Sequence, residues 1–126
     1  HHPDEVRACA SSIKALYSDK KVTALFQPHL YSRTADFYRE FAQSLSLFDK
    51  VILVDIYPAR EEPIPGVTSK LIYDCLDANV EKRMCSRADV LKVVEEEKDG
   101  IEVLVSLGAG DIENDVTKMK EILLNR

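Results

Sequence analysis

Short apolar runs alternate along this chain with stretches whose apolar positions recur every three or four residues. Three runs read as strands: Val22 to Phe26, Val51 to Asp55 and Ile101 to Leu107. Each is continuously hydrophobic rather than alternating, the pattern of parallel strands covered on both faces. A further strand at Glu81 to Cys85 is only weakly signalled. Between the runs lie helical patterns. Val6, Ala10, Ile13 and Leu16 share one face of a first helix, and Phe37, Phe41 and Leu45 one face of a second, which is expected to start near Thr34. Leu71, Ile72, Cys75 and Leu76 mark a third, Val90, Leu91 and Val94 a fourth, and Val116, Met119, Ile122 and Leu123 a fifth. Ser86, three residues before Asp89, resembles a cap for the fourth. Helices and strands in strict alternation predict a three-layer α/β/α sandwich around a mainly parallel sheet.

The loops after three strands are expected at one edge of that sheet, where open α/β sheets bind ligands. They are Gln27 to Arg33, Ile56 to Gly66 and Ser106 to Asp111. The middle one, IYPAREEPIPG, holds three prolines and three charged residues. Pro3 suits the first position of a helix, and Asp4 and Glu5 complement the dipole of its first turn. The first helix therefore begins almost at once. Because α/β domains more often start with a strand, a strand upstream of His1 is expected.

Composition narrows the function classes. The 126 residues fit one domain, and 45% hydrophobic with 31% charged residues is ordinary for a soluble globular chain. A net charge of -5 argues against nucleic acid or an anionic membrane as partner. No apolar stretch approaches the ~20 residues needed to span a bilayer, and HHPDEVRA has no signal-peptide character, so a cytoplasmic location is expected. Cys9, Cys75 and Cys85 lack any CxxC spacing, and buried, reduced thiols are the expectation. The run Glu95 to Asp99 reads as the solvated end of the fourth helix.

Candidate chemistry sits in the loops. Gln27-Pro28-His29-Leu30-Tyr31-Ser32-Arg33 brings an imidazole, a phenol, a hydroxyl and a guanidinium to the start of a helix. Unpaired N–H groups and the arginine fork suit a carboxylate or phosphate. In the competing reading His29 and Tyr31 satisfy loop hydrogen bonds while Arg33 pairs with a surface acid; the residues alone leave both open. Gly108-Ala109-Gly110-Asp111 permits a tight turn close to a ligand but lacks the third glycine of GxGxxG. It also reads as a plain strand-to-helix turn with Asp111 as cap. His1, His2 and His29 have no HxxxH or HExxH spacing, so no metal site is expected.

Four stretches together resemble the C-terminal domain of the Mur ligases: His1-His2-Pro3-Asp4-Glu5, FQPHLYSRT at Phe26 to Thr34, DIYPAREEPIPGV at Asp55 to Val67, and LGAGDI at Leu107 to Ile112. They run in the family's order, and the middle two are similar to the branch that adds L-alanine to UDP-N-acetylmuramate. The resemblance covers residues 1–126 and implies a Rossmann-like domain. It further implies that the UDP-sugar domain and the central ATPase domain lie outside this chain, and that the histidine pair completes a DDYGHHP motif at the junction with the central domain.

By the same resemblance the whole enzyme uses ATP and magnesium to couple L-alanine to UDP-N-acetylmuramate in peptidoglycan synthesis. This domain then supplies no catalytic residue. His29, Tyr31, Arg33, Gly108 and Asp111 are its implied substrate-binding residues, and His1 and His2 its implied ATP contacts. Alone, the chain is expected to be inactive and to hold no tightly bound cofactor. The family loop is often QPHRYSR, and Leu30 stands in place of the first arginine. Rival readings are another amino-acid ligase of the family, a receiver or flavodoxin-like binding module, and a dinucleotide oxidoreductase domain. A receiver needs an acidic pair after its first strand, a central Asp and a late Lys, of which Asp55 alone matches.

Overall fold

A computed structural model describes residues 2–108 and 111–126. Helices α1 (Pro3–Leu16), α2 (Tyr31–Leu45), α3 (Lys70–Cys75), α4 (Val90–Glu97) and α5 (Val116–Leu124) alternate with strands β1 (Val22–Gln27), β2 (Lys50–Val54), β3 (Glu81–Cys85) and β4 (Val103–Gly108). The strands form one sheet in the order β3-β2-β1-β4, with every pairing parallel. This is the doubly wound α/β/α arrangement that the apolar pattern predicts.

The sheet is apolar on both faces because each face carries helices. Val22, Ala24, Phe26, Val51 and Leu53 point to α1, α2 and α3, where they meet Val6, Ala10, Phe41, Leu45 and Ile72. Leu25, Ile52 and Val54 point the other way, to Val90, Val93 and Val94 of α4 and Met119 of α5. All six residues of β1 are buried, the expected state of a strand with neighbours on both sides. The edge strand β3 shows none of this: its EKRMC is exposed or half-buried throughout, which is why its signal in the sequence is weak.

Several local expectations need correction. Leu16 lies at the end of α1 and is exposed rather than packed. Cys75 is exposed, and Cys9 and Cys85 are half-buried, so none of the three thiols is fully enclosed. The acidic run is not merely solvated. Glu97 turns back to Lys50 at the start of β2, 2.7 Å from its Nζ, and the lysine side chain is only 13% exposed. Ser86 does act as a cap, its Oγ accepting the N–H of Asp89 at 3.2 Å in the 3-10 turn that leads into α4.

Asp49 ties the amino edge together. Its carboxylate accepts the N–H of Val22 at 2.8 Å and the ammonium of Lys14 at 3.0 Å. Its backbone N–H reaches Val22 and its carbonyl accepts the N–H of Glu81. One residue thus joins α1, β1 and β3 where β2 begins. At the sheet's other side, an open apolar groove of about 960 Å3 runs along β4 between Tyr17 and residues Val116, Met119 and Leu124. None of His29, Tyr31, Arg33, Gly108 or Asp111 lines it. Among the described residues no helix is long and apolar enough to cross a membrane.

Partial burial pushes the Asp49 carboxyl up, but the Val22 N–H and the Lys14 ammonium outweigh it and hold the group below its ordinary value. A carboxyl depressed by folding stabilises the fold above its unfolded pKa of about 4, and that stabilisation is lost as pH falls through the folded value. Asp49→Asn is therefore expected to melt lower than the parent near neutrality. The gap should close on acidification into the range where the carboxyl is protonated in the folded as well as the unfolded chain. Thermal melts as a function of pH check this, and a gap that stays constant with pH contradicts it.

Candidate functional site

The loops after β1 and β2 meet at the carboxyl edge of the sheet, and backbone hydrogen bonds fasten them. The N–H of Tyr57 donates to the Pro28 carbonyl at 2.8 Å, and the N–H of Leu30 donates to the Tyr57 carbonyl at 2.9 Å. These bonds carry the parallel β1–β2 pairing one bridge further, between His29 and Tyr57. The two rings stack with centroids 5.8 Å apart and planes at 29°. Behind them, the buried Gln27 donates its Nε2 to the Asp55 carbonyl at 3.2 Å.

Leu30 turns the chain from this bridge into α2. Its backbone has φ 71° and ψ 137°, a region that side chains disfavour, and it stands at the N-cap. The turn is sharp enough that α2 begins at Tyr31, three residues before the expected Thr34. Leu30 has no side chain able to cap the helix, and Glu61 from the opposite loop takes that role. Its Oε1 accepts the N–H of Ser32 at 3.1 Å, and its Oε2 accepts the Ser32 hydroxyl. The Ser32 hydroxyl and N–H hold the Glu61 carboxyl below its ordinary pKa, with the Tyr31 N–H and His29 adding to the effect. The Ser32 donors at this helix start are thus taken by a carboxylate of the protein itself.

With Glu61 spent on the helix, Arg33 is left over. It is half-buried, and among the described residues no carboxylate lies within ion-pair distance of its guanidinium. The competing expectation, a surface acid paired with Arg33, is therefore not met. The Tyr31 hydroxyl likewise has no hydrogen-bond partner among the described residues. Partial burial lowers the pKa of His29, and the Arg33 charge lowers it further while Glu61 opposes. The shift favours the neutral imidazole, the form that can accept a hydrogen bond.

The turn after β4 adjoins this pair of loops. Gly108 is in register with Gln27, and a Cβ on it would stand 3.3 Å from the Gln27 Cβ and 2.9 Å from Cγ2 of Ile112. The glycine is required by close packing within the protein. Asp111 stands at the N-cap of the 3-10 turn that follows, but its side chain makes no capping hydrogen bond. Its carboxylate instead accepts from Nε of Arg87 at 2.9 Å, and Arg87 also donates to Asp115 at 2.7 Å. Ala109 and Gly110 of the predicted turn lie outside the described residues.

The N-terminal histidines divide in the same way. His1 lies outside the described residues. His2 is the N-cap of α1: its Nδ1 accepts the N–H of Asp4 at 3.2 Å while Glu5 accepts the N–H of His2 at 3.2 Å. Its ring packs on Phe37 at 5.5 Å, one turn along α2 from Arg33. No described hydrogen bond, ion pair or ring contact joins it to His29 or Arg33. Cys85, at the end of β3, has its thiol pushed up to about 11 by burial, with Asp55 adding to the effect, which removes it as a nucleophile near neutrality. Glu61 and Arg87 are the two participants that sequence reasoning missed. The only signal for them is that both occupy loops after strand ends.

The family described as "Mur ligase, glutamate ligase domain" matches residues 1–113. This chain belongs to the Mur ligase family. The Mur ligase domain is 61% identical to the UDP-N-acetylmuramate-L-alanine ligase of Phocaeicola vulgatus, over 98% of this chain and 26% of that protein. It is 52% identical to the ligase of the same name from Parabacteroides distasonis, with the same coverage of 98% and 26%. It therefore spans about a quarter of the length of these curated relatives. A crystal structure of a murein peptide ligase from Psychrobacter arcticus superposes with a TM-score of 0.71 at 20% identity, covering 100% of this chain and 26% of that one. That likeness speaks for the fold.

The strained turn into α2 is directly testable. Glycine tolerates the Leu30 backbone without a steric penalty, whereas a β-branched side chain worsens it. Leu30→Gly is expected to hold or raise the stability of the Mur ligase domain, and Leu30→Val to lower it by about 1 to 2 kcal/mol. Urea unfolding of both variants measures the difference, and equal loss in the two would rule out strain at this position.

Proposed function

We propose that this chain is the C-terminal, amino-acid-binding domain of a UDP-N-acetylmuramate-L-alanine ligase, whose UDP-sugar and central ATPase domains lie outside residues 1–126. The observation that carries the reading is the Arg33 guanidinium, half-buried and without a carboxylate partner among the described residues, in the same short loop as His29. The similarity in sequence to relatives bearing that name, over nearly the whole chain, supports it.

L-Alanine offers only a carboxylate and an amine for recognition. The amine must stay free to attack the activated muramate carboxyl group, so the carboxylate is the handle. Arg33 presents a planar fork suited to it. His29, whose lowered pKa favours the neutral imidazole, can accept a hydrogen bond from the amine, and Tyr31 adds a hydroxyl with no other partner among the described residues. In the reaction, the muramate carboxylate takes the γ-phosphoryl group of ATP and ADP is released; the alanine nitrogen then attacks the acyl carbon, the acyl C–O bond breaks, phosphate leaves with that oxygen, and the nitrogen gives up a proton to complete the amide. This chain contains no GxxxxGK[ST] loop, so its residues do not fit the nucleotide phosphates and magnesium as a phosphate loop would. Its task in this reading is to bind and orient the amino acid.

A hydrogen-bonded charge pair is worth about 1.5 to 3 kcal/mol, so Arg33→Ala in the full-length ligase is expected to weaken alanine use by about 10-fold to 150-fold. The loss should lie mainly in the alanine KM, with the constants for ATP and the UDP-sugar changed much less. Arg33→Lys should recover part of it, keeping charge but not the fork. Steady-state kinetics with each substrate varied in turn decide the matter; an unchanged alanine KM removes Arg33 from the site.

A further inference from the structure

Arg87 holds the segment after β4 although it comes from the opposite end of the strand order. It follows β3, one edge of the sheet, whereas Asp111 and Asp115 follow β4, the other edge. Three donors of one guanidinium join the two segments: Nε to Oδ1 of Asp111 at 2.9 Å, Nη2 to the Asp111 carbonyl at 3.1 Å, and Nη1 to Oδ2 of Asp115 at 2.7 Å. Side chain and backbone of Asp111 are both engaged, which fixes the residue in place as well as balancing its charge. The Arg87 and Asp115 side chains are 26% and 16% exposed, so solvent screens the contact only in part.

The contacts lead inward from there. Ile112, next to Asp111, is buried and packs against Gly108 closely enough to exclude a side chain on the glycine. Gly108 in turn abuts Gln27, the residue from which the His29–Arg33 loop departs. Gln27 has little room to adjust: it is buried, its Nε2 is bound to the Asp55 carbonyl, and its Oε1 has no hydrogen-bond partner among the described residues. A displaced turn would press on a side chain that is already incompletely satisfied.

We propose that Arg87 is a positioning residue for the amino-acid site: by clamping Asp111 and Asp115 it sets the turn after β4 against Gln27, and through Gln27 the loop that carries His29 and Arg33. The inference rests on the alanine-ligase reading for its kinetic consequence, but the clamp itself does not. Its specificity lies in geometry, since the three acceptors are met by three separate nitrogens of a planar guanidinium, a spread that the single nitrogen of an ammonium lacks.

The test uses the full-length enzyme, with hydrogen exchange and kinetics measured on the same preparations. Arg87→Met is expected to speed amide exchange across residues 111–116 by about tenfold, and Arg87→Lys by less. Arg83→Met is the control, since Arg83 pairs with Glu96 and makes no described contact with the turn. It should leave exchange in residues 111–116 unchanged. The alanine KM should rise about tenfold in Arg87→Met while kcat and the ATP KM stay within about twofold. Should Arg87→Met fold poorly, Asp111→Asn keeps the side-chain volume and should shift exchange and the alanine KM in the same direction. Unchanged exchange at 111–116 overturns the clamp. Faster exchange with an unmoved alanine KM overturns the positioning role, as does a uniform loss that tracks melting temperature and is not eased in Arg87→Lys. If the unaltered enzyme releases no alanine-dependent phosphate, the ligase reading fails, and the clamp is judged on exchange alone.

Discussion

Two backbone hydrogen bonds between Tyr57 and the segment Pro28–Leu30 govern the carboxyl edge of this domain. They continue the parallel pairing of β1 with β2 beyond the regular sheet, so the two loops behave as a short extension of it. A loop fixed at both ends by sheet pairing loses far less conformational entropy when a ligand arrives than one that must be ordered on binding. The cost is met in the fold, partly as the positive φ of Leu30, which the surrounding bonds impose.

That pairing also decides which charges remain available. It places Glu61 over the first turn of α2, where the carboxylate satisfies backbone and hydroxyl donors of Ser32 and complements the helix dipole. An acid committed to the helix start does not neutralise the arginine one position further on. Electrostatics and topology thus act together: the helix start is stabilised from within, and Arg33 keeps its charge for use. Arg87 performs the matching task on the turn after β4, where Asp111 would otherwise add an uncompensated negative charge beside the same edge.

The fold was legible because burial on both faces writes itself into sequence. Leu25 and Ile52 look to one layer of helices and Ala24 and Val51 to the other, so β1 and β2 read as unbroken apolar runs. The edge strand β3 was faint because its side chains are exposed or half-buried. The loops were legible as places and less so as arrangements. His29, Tyr31 and Arg33 could be singled out by chemistry, since they sit together in the chain. Glu61 and Arg87 could not, because their partners lie 29 and 24 residues away and nothing local marks such pairs. The early start of α2 was hidden for a related reason: a leucine at positive φ is imposed by pairing with a distant residue, and local propensity argues against it.

The central claim is that Arg33, which has no ion-pair partner among the described residues, recognises a carboxylate. It is tested most directly by changing ligand and residue together in the full-length enzyme. L-Alanine and L-alaninamide share the amine and methyl group and differ in the carboxylate. The account predicts that the parent enzyme binds alanine at least about tenfold more tightly than the amide, in keeping with one charge-assisted contact, and that Arg33→Ala erases the preference. A preference that survives intact in Arg33→Ala would contradict it, because the carboxylate would then be read by some other group.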